Sequence, residues 1–511
     1  MIKWITIGLY VAMIVIVGIV SGRKSKSIED LTVGGRNAGA WISAMSYGAA
    51  YFSAVMFVGY AGSTGYSFGL WGILAGLGNA FFGSWLAWKV LARRTRDVSA
   101  RLNIKTMPQL FEARFESTGM KIFSCIVIFV FLIPYSASVY KGLGSVSDVL
   151  LGIDDTVFMI IIAILAILLL VLGGYLVQAR ADFVQGIIMM GGVALLIFFV
   201  VRSDKVGGLS GIAEYAKTDM GLPKLSANQW VSLMATVLMT SFGTWGLPQM
   251  VSKYFGIRDD KQAKRGITIS TVFGLLVAGG GYFIGSLCHS FFTADDYAAM
   301  QQDKGAVFKD YIVPRMLEDS NIPEVLLGVV IVLLLAASIS TLCSVTLTAC
   351  STFALDFIKG TVKKDMSDKN ARILMKVLCI LFVIVSYVVA NSNTPILDLM
   401  SYSWGIISGS FIAPYLISLY WKGLNKIGTW CGILTGFVIA LVPACAKIAT
   451  VAGVTAPTAV SLAAKGPLFA CIAMVLSIVV CVAASFAVNG FKNKNCNPAF
   501  YETKQETAVS N

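Results

Sequence analysis

Inside a long hydrophobic stretch lies the segment Ala336-Ala337-Ser338-Ile339-Ser340-Thr341-Leu342-Cys343-Ser344-Val345-Thr346-Leu347-Thr348. At helical spacing Ala337, Ser340, Thr341, Ser344 and Thr348 share one face, a stripe of small side chains and hydroxyl oxygens in a span otherwise suited to lipid. Oxygen ligands without a carboxylate hold a monovalent cation weakly, and small residues let a second helix approach closely. The chemistry on offer is reversible ion binding at membrane depth.

A partner for such a stripe is unwound backbone, whose carbonyls and amides are no longer used within their own helix. Two segments have the composition for it. One reads Ser46-Tyr47-Gly48-Ala49-Ala50-Tyr51-Phe52-Ser53-Ala54-Val55-Met56-Phe57-Val58-Gly59, the other Thr240-Ser241-Phe242-Gly243-Thr244-Trp245-Gly246-Leu247-Pro248. Glycines, hydroxyls and a mid-span proline weaken the helical hydrogen-bond ladder. Such residues also serve ordinary packing in membrane helices; what singles out this pair is its matching position in two halves of the chain.

The elements that must carry these residues follow from composition. Of 511 residues, 57% are hydrophobic and 13% charged, with a mean hydropathy of +0.78. That excludes a soluble protein and implies an all-α polytopic membrane protein. About thirteen apolar stretches of roughly 20 residues or more can span a bilayer: 3–21, 38–63, 67–92, 119–147, 156–176, 181–201, 228–252, 266–291, 323–357, 371–391, 395–420, 427–449 and 466–489. One transmembrane domain over 1–489 is expected, with 490–511 a loose cytoplasmic tail.

Lys3 precedes the first span while Arg23, Lys24 and Lys26 follow it, which places the N-terminus outside. Carried through, the inner loops are the basic ones, holding Arg93, Arg94, Arg96 and Arg101, then Lys253, Arg258, Lys261 and Lys264, then Lys359, Lys363 and Lys364. The net charge of +13 is thereby explained by cell-membrane topology and anionic lipid, not by nucleic acid. The ten cysteines show no metal spacing and read as buried thiols. No His/Asp/Glu cluster or nucleophile–base pair argues for an enzyme, and no segment implies an obligate protein partner.

In combination the motifs resemble the sodium:solute symporter family, which holds the sodium/proline, pantothenate, sialic-acid and sodium/sugar symporters. The likeness runs from about Val33 to Trp421. It is carried by Asp30-Leu31-Thr32-Val33-Gly34-Gly35-Arg36, by Gly83-Ser84-Trp85-Leu86-Ala87-Trp88-Lys89 with Thr106-Met107-Pro108, and by Gly173-Gly174-Tyr175 followed by Asp182 and Gln185. Gly246-Leu247-Pro248 with Gln262-Ala263-Lys264-Arg265-Gly266, and Ser340 onward to Leu355-Asp356-Phe357, complete it. The resemblance implies a LeuT-type core of two inverted five-helix repeats, about 38–201 and 228–420, working by alternating access.

It also implies a sodium site from the carbonyls of Ala49, Phe52 and Ala337 and the hydroxyls of Ser340 and Thr341. Some members hold a second sodium, for which Asp182 and Ser344 match with Ser340 shared. Cys343 stands where those members carry a hydroxyl, and a thiol is a poor ligand for a hard cation. Asp182 has a second reading, as a cap at the inner end of its span. The solute is expected between the broken spans, with Ser53, Met56, Gly59, Thr240, Thr244, Trp245 and Pro248 as walls. Losing the sugar branch's polar residues at Val55 and Met56 argues against a sugar.

Lys141 either pairs with a solute carboxylate or snorkels to the outer interface. Arg36 either steadies the closed inner side or anchors the topology. The expected function is sodium-driven import of an amino acid (proline-like) or a monocarboxylate. Proton coupling and a transporter-like solute sensor are the rivals.

Overall fold

The structure, a computed structural model, describes residues 2–22, 34–172, 175–320, 322–489 and 497–501. Residues 30–33 of the first motif, Arg23, Lys24, Lys26, Gly173, Gly174 and most of the tail lie outside them. Local signals start the helices where the chain leaves the apolar slab. Ser117 Oγ accepts from Met120 N and Ser367 Oγ from Asn370 N, while Ser226 and Gln229 cap each other reciprocally.

The chain is all-helical among the described residues apart from one isolated bridge between Ala38 and Ile257. In order run α1 (Ile2–Gly22), α2 (Ala40–Tyr51), α3 (Ala61–Phe68), α4 (73–102), α5 (Thr118–Val146), α6 (Asp155–Leu172) and α7 (Tyr175–Arg202). Then come α8 (Ala227–Phe242), α9 (Pro248–Phe255), α10 (Asp260–Ser290), α11 (Glu324–Ser351), α12 (Asp368–Ala390), α13 (Ile396–Tyr420), α14 (Lys426–Val451) and α15 (Gly466–Asn489). Short helices such as Met107–Phe115 and Ala294–Lys304 sit between them; their mixed polarity hid them from the hydropathy reading.

Among the described residues, ten helices are long and apolar enough to cross a membrane, and the bent pair α8/α9 makes eleven. One of the ten, Val55–Leu102, has 48 residues, about 72 Å of helix against a hydrocarbon core of about 30 Å. Gly69, at φ 55, turns it back on itself, so it contains two crossings. With α6, which is only just too short, the thirteen expected spans are accounted for on this reading.

Burial sorts the helices by role. The most apolar stretch of α11 is 83% buried and that of α13 89%, against 17% for α1 and 28% for α15. The helix bearing the hydroxyl stripe is therefore central. Large apolar side chains such as Leu9, Val388, Val438 and Val475 are left exposed on the outer helices, as a lipid-facing surface requires.

Both broken segments are helices interrupted near their middles. α2 runs from the end of the molecule rich in Lys and Arg, whereas α9 runs toward it, so the two lie in opposite directions. At that basic end Ala38 N donates to Gly256 O and Arg258 N to Ala38 O, each at 3.1 Å. Residues 497–501 are docked there rather than loose: the Tyr501 hydroxyl donates to Ser418 O at 2.5 Å, and Phe500 is buried. The composition of the tail gave no sign of this, because only a few residues make the contact.

Candidate functional site

The first break follows from how α2 ends. Phe52 adopts extended backbone (φ −105, ψ 108), and its N–H closes the last turn on Gly48 O. Ser53 Oγ accepts from Val55 N at 3.3 Å, and its carbonyl from Met56 N at 3.0 Å, restarting the helix. The Ala49 and Ala50 carbonyls are turned toward α11 instead. Thr341 Oγ1 lies 3.2 Å from Ala49 O, 3.3 Å from Ala50 O and 3.0 Å from Ala337 O. The one Thr341 hydrogen thus faces three carbonyl oxygens, of which Ala50 O also takes the Tyr135 hydroxyl at 3.5 Å. A small cation among them would satisfy all three and draw in the Thr341 lone pairs.

Ser340, one position back on α11, donates its hydroxyl to Asp182 Oδ1 at 2.6 Å. That fixes the hydrogen on the far side and leaves the Ser340 lone pairs free for an ion. Phe52 sits at the break with its ring stacked on Tyr51 and Phe273. Of the expected sodium ligands, Thr341 is therefore brought against the carbonyls of Ala49 and Ala337, while the Ser340 hydroxyl turns to Asp182. Two further contributors were not anticipated. Ala50 supplies a carbonyl, and Ser338 Oγ accepts from Ala54 N at 3.2 Å, holding the restart of the broken helix against α11. Ser338 lies on the flank of the stripe on a helical wheel, outside its run of aligned residues, so periodicity alone concealed it.

Asp182 lies well inside α7 and caps nothing. Its Oδ2 accepts from Ser46 Oγ at 2.5 Å and from Lys253 Nζ at 3.1 Å. Lys253 was expected among the exposed basic-loop residues; it is instead 1% exposed, because α9 extends further and carries it inward. Ser344 Oγ accepts from Gln178 Nε2, and Cys343 lines a small cavity with Asp182, Gln185 and Ser340.

The second break places a tight turn at Gly243–Gly246, extended Leu247 (φ −82, ψ 122) and Pro248 as the first residue of α9, with a bend of 48°. Proline fits there because it has no N–H to satisfy. The Tyr51 hydroxyl donates to Thr240 O at 2.6 Å, joining one break to the other. The Thr240 and Thr244 hydroxyls bond back to Thr236 O and Ser241 O. Trp245 Nε1 donates to Phe82 O at 3.0 Å, turning that ring toward α4. Met56 packs at Gly281 and Gly59 at Ile396. All seven expected wall residues are buried.

Aromatic residues on other helices complete this enclosure. Trp404 of α13 packs 6.0 Å from Tyr51 and edge-on to Tyr135 at 5.6 Å. The Trp404 indole N–H and the Tyr60 hydroxyl are buried without a hydrogen-bond partner. Buried polar atoms without a partner are natural contacts for the polar groups of a small solute. Trp404 could not be found from pattern, since an aromatic in a hydrophobic span is ordinarily packing.

Lys141 lies elsewhere. Its ammonium donates to Ser392 O and lines a pocket of about 200 Å³ with Asp155, Asp310 and Tyr311. His289, Tyr66 and Tyr297 line a larger cavity of about 1010 Å³ at the end remote from the basic loops. At the basic end Arg36 donates to Ser99 Oγ (2.8 Å), Asn103 Oδ1 (3.1 Å) and Ile104 O (3.1 Å), tying the entry of α2 to the end of α4.

A family model described as the sodium:solute symporter family matches residues 32–436. The high-affinity proline transporter of Bacillus subtilis is 29% identical over 430 residues, covering 82% of this chain and 88% of that protein. A sodium/proline symporter of Staphylococcus aureus is 27% identical over 453 residues, covering 86% and 85%. Among solved structures, a Na⁺-coupled sialic acid symporter in a substrate-bound outward-open state superposes with a TM-score of 0.75 at 19% identity, covering 95% of this chain and 98% of that one.

Proposed function

The chain belongs to the sodium:solute symporter family, and from that premise we propose that it imports proline, or an amino acid of similar size, together with sodium. The observation that carries this reading is the Thr341 hydroxyl set among the Ala49, Ala50 and Ala337 carbonyls at the break in α2. The expected Phe52 carbonyl and Ser340 hydroxyl complete a set of neutral donors. Neutral donors bind a monovalent ion modestly, so it can be released at the low sodium concentration inside.

Sodium here draws the break in α2 against α11. Because the same break meets Thr240 of α8 through Tyr51, ordering it also shapes the aromatic chamber. Sodium and solute then each favour the arrangement the other needs, which is coupling by shared conformation. The walls of the chamber are Ser53, Met56, Gly59, Thr240, Thr244 and Pro248, with Trp404 and Tyr60 offering donors. The close relatives named for proline favour proline over a monocarboxylate. The basic end is the cytoplasmic one, so the N-terminus lies outside and the cavity near His289 is the outer mouth.

The test is labelled proline uptake into proteoliposomes at fixed pH. An inward sodium gradient should drive accumulation, and replacing sodium by potassium or choline should abolish it. Uptake unchanged by the replacement would sink the sodium assignment. Sodium-driven uptake of alanine or lactate but not proline would sink the solute assignment alone.

A further inference from the structure

We propose that the ammonium of Lys253 takes the place of a second sodium, so that this transporter carries a single sodium per solute. The inference rests on the sodium-coupled reading of the site above and deepens it to stoichiometry.

A second sodium would need the oxygens of Asp182 and Ser344, with Ser340 shared. In this structure each of them is already engaged. Asp182 is fully buried and accepts three hydrogen bonds: from Ser340 on Oδ1, and from Ser46 and Lys253 on Oδ2. Ser344 Oγ takes a hydrogen bond from the Gln178 amide nitrogen, which also reaches Ser340 O at 3.5 Å. Cys343, which lines the same cavity, offers only a thiol.

The decisive element is charge. A carboxylate buried at this depth needs one positive charge, and Lys253 supplies it 3.1 Å away with both side chains shielded from solvent. A sodium ion entering beside it would meet a like charge in a medium that screens poorly. It would also have to strip Ser344 of its amide donor. Lys253 comes from α9, Ser46 from α2, Asp182 from α7 and Ser340 from α11, so the ammonium closes a network among four helices.

The same network has a positioning role for the remaining ion. Asp182 holds the Ser340 hydrogen and so leaves the lone pairs of Ser340 for the ion. A tethered cation serves this purpose in every step of the cycle, whereas a transported one would leave and return. Lys253 thus supplies the charge without adding to the number of ions moved.

The experiment counts sodium directly. Radioactive sodium binding to the purified, solubilised protein should saturate at one ion per chain. Lys253→Met should bind two, and the Hill coefficient for sodium in proline uptake should rise from about 1 toward about 2. Lys253→Arg should remain at one, and the pair Lys253→Met with Asp182→Asn should return to one. Two ions in the unaltered protein overturn the proposal, as does a well-folded Lys253→Met protein that still binds one. If Lys253→Met aggregates, the count in the unaltered protein and in Lys253→Gln decides. Sodium binding without proline uptake removes the solute reading and leaves this inference standing. No sodium binding at all removes both.

Discussion

Thr341 has one hydrogen to divide among three carbonyl oxygens at 3.0–3.3 Å, while Thr348, two turns along the same stripe, is only partly buried and lies beside no break. The difference separates an ion ligand from a packing hydroxyl. Thr341→Ala removes one neutral oxygen ligand, about 1.4 kcal/mol, which raises the half-saturating sodium concentration roughly ten-fold. Thr348→Ala should change it less than about two-fold. Sodium-dependent initial uptake rates measure both, and equal effects would return the stripe to packing. At this scale the sequence was readable where function is local. Helical spacing plus hydroxyl chemistry yields the stripe Ala337, Ser340, Thr341, Ser344 and Thr348, and the family resemblance narrows it to Ala337, Ser340 and Thr341. The Asp182–Lys253 pair follows from neither, because its members are 71 residues apart and Lys253 sits in a run of basic residues that looks like an ordinary cytoplasmic loop. Trp404 was hidden for the opposite reason, being one apolar ring among many.

The breaks in the two discontinuous helices were legible because glycine, proline and hydroxyl residues accumulate there, and the structure interrupts both close to where composition says it should. Their fine geometry was not legible, because it depends on what the neighbouring helix places opposite. Gly246 shows this. A Cβ built on it would lie 2.7 Å from Ser408 Cα and 3.1 Å from Ile412 N, backbone atoms of α13 that cannot move alone. Gly246→Ala should therefore push α13 away from the second break, lowering stability by about 1–3 kcal/mol. Proline affinity should fall with it, since Trp404 is carried on the displaced helix. Gly279→Ala is the control: nothing lies within 4 Å of its built Cβ, and a helical alanine there should be neutral or stabilising by about 0.5–1 kcal/mol. Melting temperature in detergent and uptake kinetics read both variants. A Gly246→Ala protein indistinguishable from Gly279→Ala would mean that the close approach at the second break is not needed.

Taken whole, the molecule is shut at its basic end. Arg36 ties the entry of α2 to Ser99, Asn103 and Ile104, Arg93 pairs with Asp260 at 2.8 Å, and the Ala38 backbone is bridged to Gly256 and Arg258. The Arg93–Asp260 pair and the Ala38 bridge join segments from the two halves of the chain, and no reading of either half by itself could have paired them. We expect release of sodium and solute into the cell to separate the entry of α2 from the end of α9, which would break the Ala38–Ile257 bridge once in each cycle. Strands joined by a parallel bridge lie about 4.8 Å apart, within the range of Cα separations a disulfide spans. In a background with the native cysteines replaced, Ala38→Cys with Ile257→Cys should cross-link readily under mild oxidation and stop proline uptake. Reduction should restore it, and either single variant should transport under both conditions. Sodium binding should persist in the cross-linked protein, because the ion reaches the Ala49–Thr341 site from the opposite side. Full uptake by a quantitatively cross-linked protein would show that the two segments move together, and the opening would then have to be sought between α9 and the end of α4 instead.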